Sequence, residues 1–237
     1  MKSYKIKNDN DQLDDDDFTA LFNPKKKPYT QFDHIFSAKQ THIYISEEII
    51  EPENYIDMIH TLNIADPNDV IYIHLNTNGG QLDTGVQIIN AMQNSAASII
   101  TVLEGMAHSL GTLIFLSGDE MVVNDNCMMM FHNWRGGVVG KGNELTSELD
   151  ATIKWFAALA KRIYIPFMSE DEVKSLIKGE DIWMDSKEIK KRLARIEKKM
   201  VDDFERKEIE KLEKSTKPKT TRKSKAAQPV DQTTTTE

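Results

Sequence analysis

The sequence has 237 residues, of which 39% are hydrophobic and 29% are charged, a composition typical of a globular core with polar extensions. Its formal net charge of −8 at pH 7 disfavours a general nucleic-acid binder, because neutralising phosphates requires a basic surface. The single cysteine, Cys127, excludes an intrachain disulfide, and a reducing, cytoplasmic location is expected.

Residues 1–37 are predicted to form a polar, acidic N-terminal arm. Four consecutive carboxylates at 14–17 are soon followed by three lysines at 25–27, and like-charge runs usually stay solvated. The arm has no apolar segment of the kind that a secretory signal needs, so none is expected. The most apolar long stretch, 98–118, is interrupted by Glu104, so it indicates buried core and not a membrane span. No membrane association is expected.

From residue 41 to residue 131, predicted strands alternate with predicted helices. Short runs rich in β-branched and aromatic residues indicate the strands, and apolar residues at helical spacing indicate the helices. The predicted strands are 42–46, 70–75, 99–103, 120–123 and 127–131, and the predicted helices are 52–62, 82–96 and 108–116. This alternation implies βα units around a buried, largely parallel sheet, so the predicted fold class is α/β.

The C-terminal part is predicted to be helical. A glycine-rich connection over 133–142 precedes a long amphipathic helix over about 145–163, which Pro166 ends. Ser169 and Glu172 form a capping-box pattern that predicts the start of another short helix, and Gly179 predicts its end.

We predict one folded domain over residues 38–195, with an extension on each side. Residues 196–214 are dominated by Lys, Glu and Arg with a weak apolar stripe, which predicts a charged helical extension. Residues 215–237 are rich in Lys, Thr, Ser and Pro and have almost nothing to bury, so a disordered tail is predicted.

The segment Gly105-Met-Ala-His-Ser109-Leu-Gly111 places a serine at a predicted strand-to-helix turn. The start of a helix offers unpaired backbone N–H groups and a positive dipole end beside the Ser109 hydroxyl. Acyl transfer needs this combination, a hydroxyl next to donors for a developing oxyanion. Locally, an ordinary serine N-cap is the commoner meaning of such a pattern.

A histidine, His132, directly follows the apolar run at 128–131, at a predicted strand end where the sites of open sheets collect. Imidazole is the usual general base for a serine nucleophile. The chain has six histidines, so a structural histidine at the edge of the core is the alternative. His108 is a poor base for Ser109, because adjacent residues of a helix do not face each other.

Paired glycines, Gly79 and Gly80, follow the second predicted strand. They let the backbone approach a ligand closely and direct N–H groups at it, although an ordinary tight turn explains them as well. The sequence contains no phosphate-loop motif, no HExxH and no Cys/His ligand cluster. No cofactor and no metal are therefore expected.

Together these segments resemble the Clp protease proteolytic subunit, a ClpP-type serine peptidase, over about residues 43–193. The resemblance depends on several motifs in order: a double glycine after a strand, a G-x-A-x-S-x-G turn, a G-D turn, M-x-H and a second double glycine. Here they are Gly79-Gly80, Gly105 to Gly111, Gly118-Asp119, Met130 to His132 and Gly136-Gly137.

The resemblance implies the roles of the catalytic residues. Ser109 would be the nucleophile and His132 the general base. Asp181 would be the triad acid, which holds the tautomer of the imidazole and stabilises the imidazolium. Asp171 and Asp185 are near rivals for that third role, since an acid is the least constrained member of a triad.

The resemblance further implies oxyanion donors at the backbone N–H groups of Gly80 and Leu110. It implies the crotonase-like fold of repeated ββα units with a protruding long helix. It also implies a homo-oligomer of stacked rings that encloses a proteolytic chamber, and an AAA+ unfoldase ATPase partner that feeds unfolded polypeptide substrate. The ATP would be hydrolysed by that partner, not bound by this chain.

Three departures from the family pattern indicate a divergent member, and a viral source is one interpretation of them. Asn133-Trp-Arg135 follows the histidine where the family usually has Gln-Pro, a charged run at 191–195 replaces a Gly-Leu-Ile/Val-Asp step, and the arm is acidic. Three alternatives stay open: a processing protease of the viral capsid maturation type, a non-catalytic ring subunit, and a crotonase-superfamily acyl-CoA enzyme. The serine turn and the strand-end histidine argue against the last.

Overall fold

The computed structural model describes residues 28–35 and 38–216, which form parts of two compact units, residues 1–196 and 197–237. Most of the predicted acidic arm and nearly all of the predicted tail lie outside the described residues. The first unit holds the sheet and the candidate site. In the second unit, the described residues 197–216 are helical.

The described residues form one seven-stranded sheet. Its strands alternate buried and partly exposed side chains, the period expected when one face packs against a core. In chain order the strands are β1 (Tyr29–Ile35), β2 (Lys39–Ile45), β3 (Val70–Thr77), β4 (Ser98–His108), β5 (Glu120–Val123), β6 (Met128–Phe131) and β7 (Ile182–Asp185).

The strand order is β1-β2-β3-β4-β6-β7, and β5 pairs with the first half of β4. Strands β2 to β6 run parallel to one another, and β1 and β7 pair antiparallel with β2 and β6 at the two edges. The last residues of β4, Met106 to His108, pair instead with β6. Strand β4 therefore carries two successive partners on the same edge.

The described part of the chain has six helices, and a 3₁₀ turn, Pro52–Tyr55, precedes the first of them. They are α1 (Ile56–Asn63), α2 (Leu82–Asn94), α3 (Leu110–Phe115), α4 (Gly142–Tyr164), α5 (Glu170–Lys178) and α6 (Ser186–Thr216). Together with the sheet they confirm the predicted mixed α/β class. None of these helices combines the length and the apolarity that crossing a bilayer requires.

The core lies between the buried face of the sheet and the helices. Ile43, Ile73 and Leu103 on three neighbouring strands are fully buried in one cluster with Met58 of α1 and Ile88 of α2. Alternate positions on the same strands, such as Tyr44 and His74, are only partly buried. The sequence-derived periods of two for the strands and 3.6 for the helices therefore identify the core faces.

Strand β4 is longer than predicted, because Gly105 does not end it. A Cβ at Gly105 would lie 2.5 Å from Asn76 Oδ1, so the glycine leaves room for that side chain. Asn76 Oδ1 in turn accepts a hydrogen bond of 3.1 Å from the backbone N–H of Met106. The side chain of β3 thus supports the backbone of β4, and the strand continues to His108.

Two edge strands were not predicted. Strand β1 lies within the segment assigned to the N-terminal arm, where the buried Tyr29 stacks on Tyr55 with 5.8 Å between ring centroids. Strand β7 has four residues, a length at which a local pattern carries little information. Both depend on a neighbouring strand for their backbone hydrogen bonds, so their formation is decided by pairing.

The predicted capping box at the start of α5 is present. Ser169 Oγ accepts from the N–H of Glu172 at 3.2 Å, and Glu172 Oε2 accepts from the N–H of Ser169 at 2.8 Å. Gly179 follows the helix in the left-handed conformation, with φ of 108°. The sequence therefore predicts both ends of α5 correctly.

Arg192 of α6 joins this helix to α5 within the first unit. Its guanidinium donates to both carboxylate oxygens of Glu172, at 3.0 and 2.7 Å, and its Nε donates to Glu188 at 2.8 Å. The same group lies over the ring of Phe167, 5.8 Å from the centroid. Hydrogen bonds from Arg192 lower the pKa of Glu172 to about 2.

We expect the variant Arg192→Gln to lose about 2 kcal/mol of unfolding free energy at pH 7, because a half-buried carboxylate loses its bidentate partner. A depressed pKa stabilises the fold above the ordinary value of 4.5, and this stabilisation disappears as the pH falls toward 2. The stability of the native chain should therefore fall over this range, and that of the variant should fall less. Urea unfolding at pH 7, 4 and 3 measures both slopes.

The matched control is Lys174→Gln, which removes the exposed ion pair of Lys174 with Asp171. Exposed pairs contribute about 0.5 kcal/mol or less, so this variant should keep the native pH dependence. Identical pH slopes for the native chain and Arg192→Gln would contradict the assigned role of Arg192.

Candidate active site

Ser109 lies in the turn between the end of β4 and the start of α3, as predicted. Its backbone has φ of 53° and ψ of −120°, a conformation that L-residues rarely adopt and that is often found at functional sites. Its N–H donates to the carbonyl of Met130 at 2.7 Å, which ties the turn to β6. The side chain makes no capping hydrogen bond, so an ordinary serine N-cap does not explain this residue.

The double glycine that follows β3 packs directly against this turn. Gly79 has φ of 92°, and a Cβ there would lie 2.9 Å from both Ser109 Cβ and the backbone nitrogen of Leu110. Gly80 has φ of 151°, and a Cβ there would collide with the carbonyl of Ile49. Both positions therefore require glycine, for the conformation and for the close approach of two backbones.

The two predicted oxyanion donors come together here. The N–H of Leu110 is in the first turn of α3, where a helix leaves its amides without an intrahelical partner. Beside Gly80, the N–H of Ile49 donates to Gly79 and the N–H of Gln81 donates to Ile49, each at 2.8 Å. These two hydrogen bonds form an isolated parallel β-bridge, which uses backbone groups of Gly79 and Gln81 on either side of Gly80. The N–H of Gly80 itself takes no part in this bridge.

One cavity of about 520 Å³ brings four of the predicted site residues together: Ser109, His132, Gly80 and Leu110. The remaining lining residues are Glu48, Gln81, Leu82, Leu113, Asn133, Trp134, Arg135, Gly136, Phe156 and Tyr164. The lining thus combines a hydroxyl, an imidazole and backbone amides with apolar and charged side chains.

His132 follows β6 directly, and β6 is the parallel neighbour of the end of β4. The serine and the histidine therefore follow adjacent strands at the same edge of the sheet, where parallel strands present their carboxyl ends. The residue after His132, Asn133, is held in place because its Nδ2 donates to the carbonyl of Ile177 at 2.8 Å. Within the described chain the Ser109 hydroxyl and the His132 imidazole share no hydrogen bond, as is common before substrate binds.

Asp181 immediately precedes β7, and β7 is antiparallel to β6 with Phe131 paired to Ile182. Extending that register by one residue places Asp181 across from His132. The Asp181 carboxylate is exposed and is not part of the cavity lining. The fold thus brings Asp181 to the strand end that carries the histidine, and no hydrogen bond joins the two among the described residues.

The two rival acids have structural contacts of their own. Asp185 Oδ1 accepts from the N–H of Glu188 at 2.9 Å and so caps the start of α6. Asp171 is in the first turn of α5, is 93% exposed and pairs with Lys174 at 3.0 Å. Neither residue lines the cavity.

The other histidines near the sheet make contacts away from Ser109. The buried ring of His108 packs edge-on against Trp183 with 5.3 Å between centroids, and burial lowers the pKa of His108. On the partly exposed face of the sheet, His42 Nδ1 and His74 Nε2 are 2.9 Å apart, and His74 Nδ1 lies 2.7 Å from Glu104. His42, His74 and His108 thus have partners other than Ser109.

Several lining residues carry no signal in the sequence. Glu48 and Gln81 come from loops beside β2 and β3, and Phe156 and Tyr164 come from the buried stripe of α4. A stripe of apolar residues at helical spacing predicts a core face, and nothing in it indicates that a site lies underneath. Only the packing of α4 beside α3 brings Phe156 and Tyr164 to the cavity that contains the serine.

A family model described as Clp protease matches residues 26–191, well over half of this chain. The chain belongs to the Clp protease family. The predicted resemblance is thereby confirmed, and the sheet and helices described above are the ClpP-type α/β domain. The match begins at residue 26 and so includes β1.

Curated relatives support the family assignment at a distance. The ATP-dependent Clp protease proteolytic subunit of Streptococcus uberis is 30% identical over 135 residues, 54% of this chain and 67% of that protein. The subunit of the same name from Lactococcus lactis subsp. cremoris is 28% identical over 134 residues, 54% of this chain and 66% of that protein. That of Streptococcus suis is 35% identical over 81 residues, 33% of this chain and 41% of that protein. The aligned part of this chain therefore spans about two thirds of the length of the first two relatives and less than half of the third.

Proposed function

We propose that this member of the Clp protease family is a serine endopeptidase that hydrolyses peptide bonds of unfolded polypeptides. The observation that carries the proposal is the meeting of Ser109, His132 and the amides of Gly80 and Leu110 around one cavity. Family membership supports the same chemistry, since the relatives above are named as proteolytic subunits of a protease.

In the proposed mechanism, His132 accepts the proton of the Ser109 hydroxyl while Oγ attacks the carbonyl carbon of the substrate. The tetrahedral oxyanion receives hydrogen bonds from the N–H groups of Gly80 and Leu110, which stabilise the charge as it develops. The imidazolium then donates its proton to the leaving amine, and water hydrolyses the acyl-enzyme by the same steps in reverse.

Asp181 is the proposed third member of the triad. Its carboxylate would accept from Nδ1–H of His132, which leaves Nε2 free to face the serine and stabilises the imidazolium that forms. The register of β6 and β7 supports this role, because it sets the two residues on facing positions just beyond the last strand pair.

We further propose that the chain assembles into stacked homo-oligomeric rings in the cytoplasm and receives substrate from an AAA+ unfoldase. The names of the relatives include ATP dependence, which supports a separate ATPase partner. Exposed apolar residues in the first two thirds of α4 support burial by another copy: Leu149, Ile153 and Trp155 are 39%, 43% and 46% exposed. The buried thiol of Cys127, which forms no disulfide, fits a reducing compartment.

A processing protease would use the same site, and a non-catalytic ring subunit is the contrasting candidate. The observation that favours a non-catalytic subunit is that Ser109, His132 and Asp181 share no hydrogen bond in the described chain. The serine turn and the strand-end histidine continue to disfavour acyl-CoA chemistry of the crotonase type, and among the described residues Glu48 is the single carboxylate that lines the cavity.

Labelling with a fluorophosphonate tests the proposal. We expect Ser109 Oγ to attack phosphorus and displace fluoride, so that mass spectrometry finds the phosphonate on the peptide containing Ser109. Ser109→Ala should remain unlabelled. The matched control is Ser117→Ala, whose hydroxyl donates to the carbonyl of Leu113 at 2.7 Å, and it should label like the native protein.

Two results would refute the assignment. Labelling of Ser109→Ala at the native level would exclude this nucleophile. An assembled native particle that reacts with no fluorophosphonate would instead indicate the non-catalytic subunit.

A further inference from the structure

A chain of two buried hydroxyl groups leads from the long helix α4 to the backbone of the candidate nucleophile. Thr112 Oγ lies 2.6 Å from the carbonyl oxygen of Ser109, and the hydroxyl of Tyr164 lies 2.8 Å from Thr112 Oγ. A carbonyl oxygen can only accept, so the single hydroxyl proton of Thr112 is directed at Ser109. Tyr164 must therefore be the donor to Thr112.

Burial keeps this chain intact. Thr112 is fully buried and Tyr164 is 1% exposed, so water does not compete for either hydroxyl. Burial also raises the pKa of Tyr164, so its phenol stays protonated and able to donate throughout the neutral range. A buried polar pair is costly unless each group has a partner, and here each hydroxyl has one.

The carbonyl at the end of this chain belongs to the same peptide group as the N–H of Leu110. A trans peptide is planar, and its C=O and N–H point in opposite directions. Holding the carbonyl of Ser109 toward Thr112 therefore directs the N–H of Leu110 to the opposite side, where it is the proposed oxyanion donor. The backbone N–H of Thr112 also donates to that carbonyl, at 3.0 Å.

The conformation of Ser109 makes such an anchor necessary. With φ of 53° and ψ of −120°, the residue is in a sparsely populated region that persists only when its surroundings hold it there. The close approach of Gly79 constrains one side of this turn, and the hydroxyl chain constrains the other.

Tyr164 also contacts the strand that carries the general base. Its ring meets that of Phe131 edge-to-face, with 5.2 Å between centroids, and Phe131 directly precedes His132. The last residue of α4 therefore touches the two elements that present the serine and the histidine.

We propose that Tyr164 and Thr112 are positioning residues, which hold the Ser109–Leu110 peptide group so that its N–H faces the oxyanion. The inference rests on the proposed peptidase function. Neither residue is proposed to touch the substrate; both act through the peptide group.

The test compares Thr112→Val, Thr112→Ser and Tyr164→Phe in the full-length protein, with a fluorogenic peptide substrate. Thr112→Val keeps the shape and removes the donor, so kcat should fall by about tenfold while KM changes by less than about twofold, as expected for a bond that matters in the transition state. Tyr164→Phe should lower kcat in the same direction. Thr112→Ser keeps the hydroxyl and should restore kcat to within about twofold of the native value.

A peptide aldehyde provides the readout that a merely structural role would not change. Its adduct with the serine carries the oxyanion, so its inhibition constant should rise in parallel with the loss of kcat, whereas KM stays near the native value. The double variant of Thr112→Val and Tyr164→Phe should lose little more than Thr112→Val alone, since both changes interrupt one chain.

Each rate is expressed per serine that reacts with fluorophosphonate, so a fraction of misfolded protein does not count as lost activity. Ser117→Ala is the control for loss of a hydroxyl in the same region and should keep the native kcat. A native kcat per labelled serine in Thr112→Val and Tyr164→Phe would overturn the inference and leave the peptidase proposal standing. A loss of kcat that Thr112→Ser does not restore would overturn it as well, and an unlabelled native protein would instead refute the peptidase function.

Discussion

Replacing His132 by alanine is expected to lower kcat for peptide hydrolysis by about 10⁶-fold, the loss typical of removing the base of a serine triad. Without the imidazole, the Ser109 hydroxyl loses the group that we propose to accept its proton at neutral pH. Among the residues that the structure describes, His132 is the only histidine lining the cavity that contains Ser109. Hydrolysis of a fluorogenic peptide under saturating conditions measures the effect.

The nucleophile and the base should behave as a unit. The double variant Ser109→Ala with His132→Ala should be no slower than either single variant, because each change alone already removes the covalent pathway. His60→Ala, on an exposed position of α1, is the matched control and should keep native activity. A loss of less than about a hundredfold for His132→Ala would rule out general-base catalysis by this residue.

Replacing Asp181 by asparagine is expected to lower kcat by about 10⁴-fold with little change in fold. An amide has nearly the shape of a carboxylate, but it cannot stabilise an imidazolium and it favours the wrong tautomer of the histidine. The expectation rests on the register that sets Asp181 across from His132 at the ends of β6 and β7. The same peptide assay, together with thermal unfolding, separates the chemical effect from a change in stability.

Asp171→Asn and Asp185→Asn are the controls, and both should stay within about threefold of native activity, since surface changes of this kind are nearly neutral. Asparagine is as good an N-cap as aspartate, so the second variant should also preserve the start of α6. A loss of about 10⁴-fold at Asp185 or Asp171, with native activity for Asp181→Asn, would transfer the role of the acid to that rival.

Most elements of the fold follow from local patterns. The strand VIYIHL at 70–75 lies within β3, the helix predicted over 82–96 covers α2 and runs two residues beyond its end, and the capping box at Ser169 begins α5. In each case the signal and the structure involve residues that are near one another in the chain. Periodicity, capping and glycine turns are local physics, so a single sequence reveals them.

The elements that were missed depend on distant partners. The four residues of β7 become a strand because β6 lies beside them, and β4 passes Gly105 because Asn76 supports it from β3. Strand β1 adds to the sheet next to β2, beyond a run of lysines that by itself indicates solvated chain. Non-local pairing of this kind leaves no periodic trace in the segment that undergoes it.

By itself, the sequence determined the residue types that carry chemistry and their order: paired glycines after one strand, then a serine at a strand-to-helix turn, then a histidine at a strand end. Only the tertiary structure decided that Ser109, His132, Gly80 and Leu110 line one cavity, and that the pairing of β6 with β7 brings Asp181 to the strand end that carries His132. It also decided that Tyr164, 52 residues away from Thr112, supports the serine turn. The physical reason is that a turn or a helix is selected by its own neighbours, whereas a cavity and a buried hydroxyl chain exist only where separate strands and helices have packed together.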